Sequence, residues 1–100
     1  MMFGLQDRDF AEMQRIFDKY PEIEEIIIFG SRAMGNYKKG SDVDLAVKGK
    51  NLSGAVIREI EFELNEETQI PYFFDVLQYE ALTNEKLRKH IDEFGCRFKH

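Results

Sequence analysis

The 100 residues carry 14 basic and 19 acidic side chains, for a net charge of −5, with 43% hydrophobic and 13% aromatic residues. That balance is globular rather than disordered and suits one domain over 1–100, too small to enclose a large substrate without an open face or a partner. The longest apolar run, Ile26-Ile27-Ile28-Phe29, is far short of a spanning helix, Met1 to Asp7 lack the pattern of a signal peptide, and the single Cys96 permits no internal disulfide. These features predict a reduced, cytoplasmic protein without membrane contact, and the acidic balance argues against direct nucleic-acid binding.

In chain order, Phe10, Met13, Ile16, Phe17 and Tyr20 recur at helical spacing, with Asp7 or Asp9 to cap the start and Pro21 to close it. Ile23 to Phe29 is short and β-branched and ends at Gly30, as a buried strand does. A short helix from Ser31 follows, then a strand over Val43 to Val47 bounded by Gly40-Ser41 and Gly49. Residues 53–67 alternate like a strand at Ile60 to Leu64, yet Val56, Ile57, Ile60 and Leu64 share one helical face. Ser53 as N-cap and a Glu-rich outer face (Glu59, Glu61, Glu63, Glu66 and Glu67) decide for a helix. Phe62 falls off the core stripe, as a contact residue would. Tyr72 to Gln78 reads as a third strand. Leu87, Ile91 and Phe94 mark a last helix that starts at Thr83 or Asn84 and stops at Gly95. Cys96-Arg97-Phe98 can add an edge strand. The order α-β-α-β-α-β-α predicts an α/β (α+β) fold, a small mixed sheet with helices packed on it.

Chemistry concentrates between residues 29 and 47. Gly30-Ser31 follows a strand directly, so the backbone N–H groups of a helix starting there are free to meet an anion and glycine admits a phosphate close to the chain. Asp42-Val43-Asp44 puts two carboxylates on one face of a strand, about 6.8 Å apart along it. Such a pair repels itself unless a cation intervenes, and its hard oxygens suit Mg²⁺. Asp75 is the only charge in the apolar run Tyr72-Phe73-Phe74-Asp75-Val76-Leu77, where a lone carboxylate calls for a partner or a metal. If the two strands are neighbours, Asp75 completes a three-carboxylate cluster. Lys38 and Lys39 read as a solvated loop, His90 and His100 as surface residues, and Cys96 as a small buried hydrophobe.

The motif Gly30-Ser31-Arg32-Ala33-Met34-Gly35, followed by Ser41-Asp42-Val43-Asp44-Leu45 and a later strand Asp75, resembles the polymerase-β-type nucleotidyltransferases. At this length it is similar to their minimal (MNT) members, whose genes commonly neighbour a HEPN-domain ribonuclease toxin. The resemblance covers Ile26 to about Val76. It implies that Gly30 and Ser31, with Arg32 and Ser41, bind the phosphates of ATP or another NTP. Asp42, Asp44 and Asp75 would be the catalytic metal ligands for two Mg²⁺ ions, with Asp75 as the base. The implied reaction transfers NMP to a hydroxyl, for toxin-linked members a tyrosine of the HEPN partner, with the chain acting as antitoxin in a hetero-oligomer. Many such relatives carry a basic residue where this chain has Met34, which leaves an alternative: a non-catalytic antitoxin that neutralises its toxin by occlusion. The acidic helix could then cover a basic groove.

Overall fold

The computed structural model describes residues 2–98. Its elements run α1 (Asp7–Phe17), β1 (Glu25–Phe29), α2 (Ser31–Met34), β2 (Val43–Lys48), α3 (Gly54–Glu66), β3 (Phe74–Gln78), a 3₁₀ turn (Tyr79–Ala81), α4 (Glu85–Phe94) and β4 (Cys96–Arg97). His100 lies outside the described residues.

The caps choose between the candidates left open by the sequence. The Asp9 carboxylate accepts the Gln6 N–H at 2.9 Å and opens α1. Ser53 Oγ accepts the Val56 N–H at 3.2 Å, and Asn84 Oδ1 accepts that of Leu87 at 3.1 Å. Three boundaries are shorter than the patterning suggests. α1 ends at Phe17 because the Tyr20 N–H turns back to the Phe17 carbonyl, and Ile23 in turn bonds to Tyr20 ahead of β1. β3 begins at Phe74, where pairing with Val43 begins.

The sheet order is β3-β2-β1-β4: β1 pairs antiparallel with β2 and β4, and β2 pairs parallel with β3. Strand alternation sends Ile26, Ile28, Val43, Leu45, Val47, Phe74 and Val76 to one face, where α1 and α3 cover them with Met13, Ile16, Phe17, Ile57, Ile60 and Leu64. Ile27, Phe29 and Ala46 point to the other face, with Ile91 of α4 over them. One helix thus covers a face that two cover on the opposite side. Asp44 and Asp75 alternate onto this thinly covered face.

β3 is an edge strand, and α3 protects it. Asn65 presents its amide like a strand neighbour, accepting the Phe74 N–H at 2.8 Å and donating to the Phe74 carbonyl at 3.1 Å. The acidic face expected on α3 is therefore only partly free. Glu61 is half-buried, and its carboxylate accepts from the backbone at Val76. Glu63 bonds Lys19 at 2.6 Å and the Tyr20 hydroxyl, tying α3 to the turn that follows α1; Glu59, Glu66 and Glu67 remain exposed. Phe62 is 58% exposed, off the core stripe as its position suggests. Cys96 is half-buried on β4 rather than enclosed, because β4 is the other edge. Among the described residues no helix is long and apolar enough to cross a membrane.

Candidate active site

Register brings the sequence-distant acids together. Phe29, the last residue of β1, pairs with Asp44, and Asp44 pairs with Asp75 across the parallel β2–β3 ladder. Neighbouring strands lie about 4.8 Å apart, so two carboxylates stand side by side on one face. Asp42 precedes β2 by one residue, which the alternation brings to the same side. The Val43 N–H reaches the Phe73 carbonyl at 2.8 Å and fixes the start of the ladder. None of the three carboxylates has a hydrogen bond or ion pair among the described residues. Burial, then the charges of Asp75 and Asp42, push the Asp44 carboxyl above its ordinary range, against the opposing pull of Arg32.

Gly30 closes the site on the β1 side. Its φ of 75° and ψ of −154° are open only to glycine, and a Cβ there would lie 2.4 Å from Asp44 Oδ2. The Asp44 carboxylate thus occupies the space a side chain at residue 30 would fill. From Gly30 the chain turns at once into α2, with Ser31 half-buried at its start. The phosphate-binding turn read from the sequence therefore abuts the carboxylates.

Arg32 and Ser41 are both engaged within the protein. The sequence set Arg32 beside a phosphate; the structure turns it inward, to 3% exposure. Its Nε and Nη2 donate to the Ser41 carbonyl at 3.0 and 2.6 Å, and Nη1 donates to the Phe3 carbonyl at 2.8 Å. Its Cζ lies 4.2 Å from the Tyr72 ring centroid and 5.2 Å from that of Tyr37. A guanidinium's fork matches carbonyls and its flat faces suit aromatic rings, so Arg32 joins the N-terminal segment, the loop before Asp42 and the approach to β3. The Ser41 hydroxyl accepts the Lys38 N–H at 2.9 Å, within the turn of that loop. Met34 is 49% exposed on α2.

Two neighbours of the site were not singled out by sequence. Glu61 faces Asp75 from α3; burial, then the charge of Asp75, raise its carboxyl, while the backbone at Val76 lowers it. Its signal was hidden among the four glutamates of α3. His90, read as a surface residue, is half-buried with its ring 6.4 Å from that of Phe29. The contact of His90 with Phe29 joins the last helix to the first strand, which no local pattern shows.

Among the described residues no three His, Cys, Asp or Glu side chains form a ready-made metal cage. The donor set nonetheless fits Mg²⁺, which is held through one or two carboxylates with phosphate and water completing the shell. Adjoining carboxylates without a protein partner, Asp44 half-buried and Asp42 and Asp75 exposed, beside the Gly30-Ser31 turn are that kind of donor.

No curated protein sequence matches the chain. Among solved structures, a chain of a toxin–antitoxin complex with AMP-PNP superposes with a TM-score of 0.74 at 21% identity, over 95% of this chain and 73% of that one. A chain of the tri-AMPylated Shewanella oneidensis HEPN toxin in complex with MNT antitoxin gives 0.70 at 18%, over 95% and 72%. The toxin–antitoxin MntA-HepT gives 0.70 at 18%, over 94% and 72%. At these identities the likeness is one of fold. Residues 11–96 match the family described as Polymerase beta, Nucleotidyltransferase, and the chain, with its Gly-Ser turn and strand carboxylates in place, belongs to that family.

Proposed function

We propose that the chain is a Mg²⁺-dependent nucleotidyltransferase that moves AMP from ATP to a tyrosine hydroxyl of a HEPN-domain toxin, and so acts as a cytoplasmic antitoxin within a hetero-oligomer. The observation that carries this reading is the pairing of Asp44 with Asp75 on the thinly covered face of the sheet, against the side-chain-free Gly30. The AMP-PNP and the AMPylated HEPN toxin in complexes that share this fold support it.

In this reading the Gly30-Ser31 turn receives the β- and γ-phosphates on backbone N–H groups and the Ser31 hydroxyl. Asp42, Asp44 and Asp75 hold the metal, two ions when fully loaded. When bound, Mg²⁺ neutralises triphosphate charge that three carboxylates would otherwise repel. The acceptor oxygen attacks the α-phosphorus in line, the bond from that phosphorus to the pyrophosphate oxygen breaks, and Asp75 takes the hydroxyl proton. Such a reaction needs positioning and charge compensation more than covalent help from the protein. Arg32 contributes by holding Ser41, and through it Asp42, in place.

The test is transfer of α-labelled ATP to the HEPN-domain partner. Wild type labels it, and Asp42→Asn and Asp44→Asn do not; equal labelling by the variants refutes the reading. The exposed Met34, where many toxin-linked relatives carry a basic residue, favours occlusion as a second reading. Occlusion requires both variants to neutralise the toxin as well as wild type does.

A further inference from the structure

α4 crosses the thinly covered face of the sheet, and its C-terminal half ends beside the candidate active site. The Gly95 backbone lies against Ile27, and β4 then pairs Cys96 with Ile28 in antiparallel register. Phe94 closes α4 one residue before Gly95. One helical turn earlier, His90 sits edge-on to Phe29, with centroids 6.4 Å apart at 78°, and Phe29 is the strand partner of Asp44. The His90 and Phe94 rings are 5.5 Å apart. The three rings form a stair from the buried Phe29 through the half-buried His90 to Phe94, which is 49% exposed at the end of its helix.

A core explanation covers Phe29 but not the outer steps. Ile91, not His90 or Phe94, is the buried residue of α4. What the outer rings offer is aromatic surface that starts at Phe29, the strand partner of Asp44, and runs outward along α4. A nucleoside triphosphate held by its phosphates at Gly30-Ser31 carries its base a ribose away from that point. Aromatic faces are the natural seat for a base, because every base has a π-face to stack.

We propose that His90 and Phe94 form the stacking platform for the base of the donor nucleotide, with Phe29 as the wedge that sets the His90 ring. The proposal rests on the nucleotidyltransferase reading and adds the part of the donor that the carboxylates and the Gly-Ser turn do not contact. Stacking alone tolerates any base, and the broader overlap of a purine ranks ATP and GTP ahead of CTP and UTP.

The test compares binding of ATP and of inorganic tripolyphosphate, each with Mg²⁺, by calorimetric titration of the purified chain. For His90→Ala and Phe94→Ala the expected result is about tenfold weaker ATP binding, with tripolyphosphate binding unchanged. The sequence contains no tryptophan, so Phe94→Trp installs the one tryptophan of the chain at the platform, excited selectively over the tyrosines. ATP is expected to quench it and tripolyphosphate is not. The platform is overturned if ATP binds the alanine variants as it binds wild type, if both probes weaken together, or if ATP leaves the tryptophan unquenched. A wild type that binds neither probe refutes the nucleotidyltransferase reading itself and the platform with it.

Discussion

Gly30→Ala separates the geometry of the site from the general cost of replacing a glycine. At φ 75° and ψ −154° a Cβ costs about 1–3 kcal/mol in backbone strain alone. The new methyl would also stand 2.4 Å from Asp44 Oδ2, so the carboxylate must retreat by about 1 Å to restore van der Waals contact. A displacement of that size at reacting groups lowers rates by about 100-fold. Gly35 supplies the internal control: its φ is 82°, and an added Cβ there meets nothing within 4 Å. Gly35→Ala therefore bears only the conformational penalty, about 1–2 kcal/mol. Thermal melts and labelled AMP transfer on both variants give the comparison. Each melts lower, by about 4–8 °C per kcal/mol for a domain of this size, but only Gly30→Ala loses transfer in proportion to a displaced Asp44. Transfer by Gly30→Ala at the wild-type rate would refute the packing of Asp44 on Gly30 as a requirement of the site.

Arg32→Met removes three charge-assisted hydrogen bonds and leaves the Phe3 and Ser41 carbonyls without donors; a loss of about 3–5 kcal/mol in urea unfolding is expected, and an unchanged midpoint would contradict the inward role of Arg32. Asp44→Asn is expected to abolish transfer yet raise the melting temperature at pH 7. The Asp44 carboxyl is raised above 3.8 in the folded chain, so its contribution favours folding at low pH and is lost as pH rises through the folded value. The advantage of Asn therefore appears above that range and vanishes below pH 3.8; a variant less stable than wild type at pH 7 would reverse the sign. Asn65→Ala strips both partners from Phe74 at the edge of β3; it should lower stability by about 1–2 kcal/mol and speed hydrogen exchange at the Phe74 amide, with unchanged exchange as the contrary result.

The order of elements was readable because most of them carry a strong local signal. The Ile-rich run before Gly30, the Ser53 cap and the Phe10-to-Phe17 periodicity each act within a few residues of themselves. Boundaries slipped where a tertiary contact intervenes: Tyr72, apolar and next to β3, stacks on Arg32 instead of pairing with β2. The site divides along the same line. Gly30, Ser31, Asp42 and Asp44 lie within one stretch whose spacing has chemical meaning. Asp75 stands out as a charge out of place and as the later strand acid of the family motif, but its alignment with Asp44 depends on a parallel pairing that no local rule fixes. Arg32 misleads for a related reason. A cation next to a phosphate turn suggests a ligand, but its carbonyl partners at Phe3 and Ser41 and its tyrosine neighbours come together only when the loop and the N-terminal segment close over it. The ring stair of Phe29, His90 and Phe94 was equally out of reach, since it joins the first strand to the last helix.

The most direct test of nucleotidyl transfer by these carboxylates is the intact mass of the HEPN-domain partner after incubation with the chain, ATP and Mg²⁺. The predicted result is a gain of AMP on tyrosine that requires both Asp44 and Asp75. A partner whose mass stays unmodified by the wild-type chain, or is increased equally by the wild type and the Asp44→Asn and Asp75→Asn variants, would contradict it.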